Sequence, residues 1–293
     1  MYKDRFINFL KFEKRYSSHT ITAYNLELDN LLQFIEKDGI PFEQVDYKFL
    51  RYYFSTMREQ GKEASSVNRA ISSIKSYYKF LVREELIPKN PSSLLKALKT
   101  PKKLPVVVEQ EKMLKLLEQM DAEAEDFEDR RDFIVLELLF GTGIRLAELL
   151  KIKENDIDFY NKKILILGKR SKERFVPIHM TLLEELNKYL QEKKATSFQN
   201  NSAELIVTKE GKPAYPKMIY SIVKKYLSRI TSQQKRSPHV LRHSFATTLL
   251  DNGADLNAIK ELLGHAGLSA TQVYTHNSAE RLKSIYKQAH PKA

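Results

Sequence analysis

Two prolines, Pro101 and Pro105, stand about a third of the way along this chain in the run 99-KTPKKLPVV-107. Each proline fixes its own φ, lacks a backbone donor and disfavours helix in the residue before it. No helix runs through this stretch, although the sequence on both sides of it has helical spacing. Lys99, Lys102 and Lys103 lie inside it and Lys96 just upstream, so it reads as an extended, basic connector. The chain of 293 residues has room for two domains at about 100–200 residues each. The expected organisation is a helical domain over 1–97, a basic linker over 98–107 and a second domain over 108–293.

Apolar residues before the linker recur at the period of a helix. In 2-YKDRFINFLKFEKR-15 they cluster as Phe6, Phe9, Leu10 and Phe12. Ser17, Ser18 and Thr20 are N-cap candidates for a second helix, 21-ITAYNLELDNLLQFIEK-37, which Asp38-Gly39 and Pro41 end. A third run covers about 46–60. A fourth, 65-SSVNRAISSIKSYYKFLVREE-85, is amphipathic and carries Arg69, Lys75 and Lys79. Beyond the linker, 109-EQEKMLKLLEQM-120 and 129-DRRDFIVLELLF-140 are helical, and 141-GTGIRLAELLKI-152 is a glycine turn feeding another helix. The period then changes: 163-KILILGKRSKERFVPI-178 reads as two short strands around a basic tip. Residues 204-ELIVTK-209 are the candidate third strand. Helices follow at about 178–193, 215–229, 238–251, 255–263 and 278–289. The fold class is mainly α: a helical first domain, and an α-rich second domain with a β-hairpin or small three-stranded sheet.

Charge points toward a polyanion. Lys and Arg number 49 against 37 Asp and Glu, and the excess is spread along the chain: 17 against 12 in residues 1–100, and 32 against 25 beyond. Neutralising phosphates with such a surface releases counterions. There is no cysteine, which excludes disulfides and cysteine-based zinc sites and fits a reducing compartment. Met1 is followed by charged Lys3, Asp4 and Arg5 rather than an apolar run, so no signal peptide is expected. No apolar stretch reaches spanning length.

The residues with chemistry sit in the second half. In 238-PHVLRHSFATTLLDNG-253, Pro238 suits a helix start and Asn252-Gly253 a stop. His239 and Arg242 are three apart and share a face, while Leu241, Phe245, Leu249 and Leu250 supply the buried side. His239 and His243 have metal-ligand spacing, but residue 240 is Val where a zinc protease has Glu, and no Cys or acidic cluster completes a site. No metal is expected. In 255-DLNAIKELLGHAG-267, Asp255 is an N-cap and Gly264 a C-terminal glycine, with His265 at the turn. Taken alone, His265 reads as a structural or exposed histidine, and Tyr274 as an ordinary half-buried tyrosine.

In combination these motifs carry more. GTGIRLAEL around Arg145, GKRSKER around Lys169, HVLRHSFAT around His239 and Arg242, LLGHAGL around His265 and TQVYTH around Tyr274 follow one another in an order that resembles the tyrosine recombinase (integrase) family. The helical first domain and basic linker resemble that family's core-binding domain and linker. The tail 274-YTHNSAERLKSIYKQAHPKA-293 resembles the Xer site-specific recombinases. The loop before Tyr274 departs from many relatives in having Ala270 where they carry a hydroxyl residue.

The resemblance implies Tyr274 as a nucleophile that leaves a 3′-phosphotyrosyl link and a free 5′-hydroxyl. It implies Arg145 and Arg242 on the non-bridging phosphate oxygens, and His239 and His265 on the phosphate or the tyrosine proton. Lys169 would act as acid for the leaving oxygen, with Lys172 the alternative. Glu148 either orients Arg145 or makes an i,i+3 surface ion pair with it, worth a few tenths of a kcal/mol. No metal, nucleotide or other cofactor is implied; GTGIR lacks the ending of a phosphate-binding loop. The implied partner is double-stranded DNA, held by a homo- or hetero-tetramer through a Holliday junction, with a second recombinase and a septal DNA translocase as further candidates and no membrane. The implied setting is cytoplasmic and nucleoid-associated, of bacterial or archaeal type. The implied task is resolving chromosome or plasmid dimers. The alternatives are a mobile-element integrase with the same chemistry and a non-catalytic DNA-binding relative. Helical residues in 65–83 and 214–229 are expected to face the DNA, and the helix at 278–289, with Leu282, Ile285 and Tyr286, to dock either on its own domain or on a neighbouring subunit.

Overall fold

The computed structural model describes residues 2–101, 106–168, 172–200 and 202–264. The chain divides into two units, Met1–Lys103 and Leu104–Ala293, and the division falls inside the stretch 98–107.

Helical spacing in the first unit becomes four helices around an aromatic core. α1 (Tyr2–Asn8) runs into a π-type turn over Phe9–Glu13, closed by Lys14 N donating to Phe9 O at 3.0 Å. The wider i→i+5 turn shifts the sequence period. Phe6, Phe9 and Leu10 stay buried, whereas Phe12, expected beside them, faces solvent. α2 (Ser18–Lys37) starts at Ser17, whose hydroxyl accepts from Thr20 N, and α3 (Tyr47–Glu59) starts at Asp46, whose carboxylate accepts from Phe49 N at 2.8 Å. α4 (Ala64–Arg83) supplies Tyr77 and Phe80, with ring centroids 5.2 and 5.3 Å from that of Phe6. Two of the cations on α4 hold the unit together: Arg69 bonds the buried carboxylate of Glu27, and Lys75 donates to Leu95 O at 3.0 Å.

The second unit is built on α6 (Phe127–Thr142), which is buried from Arg131 to Thr142. A helix apolar on every side must be surrounded. α5 (Gln110–Ala122), α8 (Met180–Ala195), α9 (Pro216–Ile230) and α10 (Pro238–Asp251) surround it. Its inward charges are paired: Arg131 with Asp132 at 2.7 Å, and Glu137 with His179 Nε2 at 3.0 Å. α7 (Leu146–Leu149) follows α6 after a tight turn, and α11 (Leu256–Leu262) follows α10. Leu241, Phe245 and Leu249 of α10 are buried as expected; Leu250 is exposed, because one further residue turns the side chain about 100° off the apolar face. Among the described residues, no helix is long and apolar enough to cross a membrane.

The sheet is antiparallel in the order β1 (Ile157–Asp158), β2 (Lys163–Leu167), β3 (Glu173–Pro177). The hairpin lies where its period places it. The third strand is β1 and precedes the hairpin; the 204–209 segment expected in that role forms only single bridges, Lys153 to Glu204 and Val207 to Pro213. Leu205 N donates to Ile152 O at 2.7 Å while Ile206 O accepts from Ala214 N at 3.0 Å. The segment therefore serves two different neighbours, and no ladder forms.

The turn between α6 and α7 tolerates only glycine at one position. Gly143 has φ 61°, and a Cβ there would lie 2.3 Å from Phe245 Cδ1 and 2.8 Å from Leu263 Cδ2. Left-handed backbone strain and overpacking add in Gly143→Ala. The expected loss is about 2–4 kcal/mol, read as a lower urea midpoint at unchanged m-value; an unchanged midpoint would show that the turn yields freely.

Candidate active site

Three arginines from three elements converge on the end of α11. The last carbonyls of a helix have no partner inside it, and they carry the negative end of its dipole. Here Leu262 O accepts from Arg174 Nε at 3.1 Å, Leu263 O from Arg242 Nη2 at 2.7 Å, and Gly264 O from Arg145 Nη2 at 3.1 Å. Arg242 also donates to Gly143 O at 2.6 Å, which ties α10 to the turn before α7. Gly264 has φ 66°, and the Arg174 guanidinium lies where its Cβ would point, with Nη1 at 3.2 Å.

Glu148 gathers two of these arginines. Its Oε1 accepts from Arg145 Nη1 at 2.8 Å and Arg174 Nη1 at 2.9 Å; its Oε2 accepts from Arg145 N at 2.8 Å and Arg174 Nη2 at 2.9 Å. Glu148 is 5% exposed and Arg174 7%. The i,i+3 pair between Arg145 and Glu148 is therefore one arm of a buried cluster, not an isolated surface pair. Burial by itself pushes the Glu148 carboxyl up, but the bonds from Arg174 and Arg145 outweigh it and hold the pKa at about 2. For Arg242, burial and then the charges of Arg145 and Arg174 pull the guanidinium down to about 10, with Glu148 opposing. It remains protonated at neutral pH. Three guanidiniums facing one carboxylate leave an excess of positive charge in a water-poor place, the electrostatics that favour an anion.

The expected site residues are distributed as follows. Arg145 is the N-cap of α7, with its side chain 36% exposed. Glu148 lies in α7. Arg242 is 8% exposed on α10, and His239 is exposed one turn earlier on the same helix. Arg145, Arg242 and Glu148 are brought together. Lys169, His265 and Tyr274, and the helix expected at 278–289, lie outside the described residues. Among the described residues, no three His, Asp or Glu side chains gather as a metal site.

Arg174 is the member that sequence reasoning passed over, as one of several cations on a basic hairpin. Strand alternation held the signal. Val176 must face inward, so Arg174 two residues earlier shares its face. Phe175 instead points outward, where Lys163 Nζ sits 4.1 Å from its ring centroid.

Replacing Glu148 by Gln leaves Arg174 buried against a neutral partner, at an expected cost of about 3–5 kcal/mol near neutral pH. The sign of the pH dependence follows from a folded pKa of about 2 against an ordinary value of 4.5. The contribution is complete above the unfolded value and is lost as pH falls through the folded one. Denaturation of wild type and Glu148→Gln is thus expected to show a constant gap above about pH 5, shrinking by about 3 kcal/mol toward pH 2. A gap independent of pH would remove the ionised carboxylate from the account.

Comparison with known proteins agrees with this geometry. Residues 107–281 match the phage integrase family, and residues 4–85 match the phage integrase N-terminal SAM-like domain. Tyrosine recombinase XerC of Listeria innocua is 38% identical over 292 residues, covering 99% of this chain and 97% of that one. Tyrosine recombinase XerD of Staphylococcus haemolyticus is 34% identical, covering 99% and 98%. The crystal structure of XerH site-specific recombinase bound to palindromic difH substrate, a post-cleavage complex, superposes with a TM-score of 0.74 at 25% identity, covering 90% of this chain and 78% of that one. Full-length identity of this order, with a family match spanning most of the second unit, makes the chain a member of the phage integrase family, among its tyrosine recombinases.

Proposed function

We propose that this chain cleaves and rejoins double-stranded DNA at specific sites, with Tyr274 as the nucleophile. The observation that carries the reading is the excess of positive charge made by Arg145 and Arg242 at the end of α11, where Gly264 stands ten residues before Tyr274 in the chain. Phosphodiester transfer needs a nucleophile, stabilisation of the charge that builds on the phosphorus oxygens, and a proton for the leaving oxygen.

In the proposed step the Tyr274 oxygen bonds to phosphorus and the bond from phosphorus to the 5′-oxygen breaks. Arg145 and Arg242 hold the non-bridging oxygens; the planar fork suits this better than an ammonium. His239 and His265 bond the phosphate or take the tyrosine proton, and Lys169 delivers a proton to the 5′-oxygen. The product is a 3′-phosphotyrosine and a free 5′-hydroxyl, and attack by a 5′-hydroxyl from a second duplex reverses the chemistry onto a new strand. Glu148 keeps Arg145 in place. Every part of this chemistry is supplied by side chains, without a metal or nucleotide. The pairing of strands from two duplexes implies a tetramer and a Holliday junction. The proposed role is resolving chromosome or plasmid dimers, in keeping with the XerC and XerD names of its relatives; a second recombinase, a septal translocase and a place in the cytoplasm on the nucleoid are part of the proposal.

The test is covalent trapping. Nicked duplexes carrying candidate sites from the source genome are expected to yield an SDS-resistant protein–DNA adduct that Tyr274→Phe abolishes. Arg242→Ala is expected to slow adduct formation by about 100–1,000-fold. Specific DNA binding with no adduct on any site-bearing substrate would replace this reading with that of a non-catalytic DNA-binding relative. Sites that map to the ends of a mobile element would make it an integrase of the same chemistry.

A further inference from the structure

Arg174 touches no reacting group in the mechanism above, yet all three of its guanidinium nitrogens are engaged within the cluster. Its Nη1 and Nη2 each hold one oxygen of Glu148, and its Nε holds Leu262 O. It sits on β3 opposite Ile166 of β2, on the buried side of the β2–β3 hairpin, whose connecting sequence includes Lys169. An apolar side chain would fill this position as Val176 does two residues on, without the cost of desolvating a charge, so stability alone does not call for arginine. What only a guanidinium supplies is three directed bonds from one rigid plane.

We propose that Arg174 is a positioning residue for strand cleavage: it fixes the Glu148 carboxylate that aims Arg145, and in the same plane anchors the end of α11, so that the base of the Lys169 hairpin and the chain leading to Tyr274 are referenced to one side chain. This rests on the recombinase reading given above. Arg145 is partly exposed, and among the described residues its side chain bonds Glu148 Oε1 and Gly264 O. Both are set by Arg174, the first through the shared carboxylate and the second through the adjoining carbonyl of the same helix end. The charged groups acting on Glu148 are Arg145 from α7 and Arg174 from β3, with Arg242 from α10 in electrostatic reach. Without Arg174 the largest influence lowering the Glu148 pKa is gone, while the burial that raises it stays. The carboxylate then protonates at higher pH and releases Arg145.

The experiment uses the full chain with Arg174→Lys and Arg174→Met. It measures DNA affinity and the single-turnover rate of Tyr274-dependent adduct formation on a nicked duplex carrying the recombination site, from pH 5 to 8. In Arg174→Met the adduct rate is expected to fall by about 100-fold, as for a misplaced catalytic group, while DNA affinity changes by less than about threefold. The acid limb of the rate profile should also move to higher pH than in wild type. Arg174→Lys keeps charge without the fork and is expected to recover only about a tenth of the rate. A methionine variant within about threefold of wild type in rate, or one slowed with an unchanged pH profile, overturns the proposal. So does full recovery by lysine, which would reduce the role to charge. If Arg174→Met does not fold, the lysine variant decides by the same criteria.

If wild type gives no Tyr274-dependent adduct, it is the recombinase reading that fails. Stabilisation by inorganic phosphate then decides the positioning role. A half-saturating phosphate concentration raised about fivefold or more in Arg174→Lys, with Arg145→Ala abolishing the effect, supports it; an unchanged concentration overturns it.

Discussion

One carboxylate carries the second unit's site. Glu148 lies in a four-residue helix, α7, that has too little hydrogen bonding of its own to be stable alone. The buried bonds from Arg145 and Arg174 give that helix a fixed start and a fixed neighbour. Take the negative charge away and three guanidiniums face one another in a place with little water, at a cost in electrostatic repulsion. The cluster is therefore held at the edge of electrostatic balance. It is neutralised enough to fold, and it keeps a surplus of positive charge that an anion would satisfy.

The second constraint is the end of α11. Three consecutive carbonyls each take a different arginine, and those arginines come from α7, α10 and β3. A helix terminus that would otherwise be finished by water is finished by the groups that form the site. Gly143 and Gly264 make this possible by geometry: the first lets Phe245 and Leu263 close against the turn, the second leaves room for the Arg174 plane. Packing and electrostatics thus act at one point, and a disturbance of either is felt by the other.

The likeness to tyrosine recombinases extends over nearly the whole chain, not only over isolated motifs. The motifs around Arg145, Arg174, Arg242 and Gly264 are distant in sequence, and each bonds to another in space. The first unit contributes differently. Its aromatic core, centred on Phe6, Tyr77 and Phe80, is self-contained, and its α4 cations are partly spent on internal partners, Glu27 and Leu95.

Much was legible in the amino-acid order alone. Local rules determine it: Ser17, Asp46 and Asp255 start helices because their side chains accept the first free amides, Pro101 and Pro105 forbid helix in the connector, and alternation marks the hairpin at 163–178. The ordered motifs gave the family and the candidate residues. Long-range geometry decided the rest. The third strand came from 157–158 because β2 found its ladder partner there, while 205 and 206 were drawn to separate neighbours. Phe12 left the core because a π turn altered the phase. Arg174 looked like one cation among several, since spacing records a residue's neighbours along the chain and not the carboxylate 26 positions away that will bury it. Sequence determined which groups were available; only the tertiary structure decided which charges would share one desolvated space, because that pairing depends on distances no local pattern encodes.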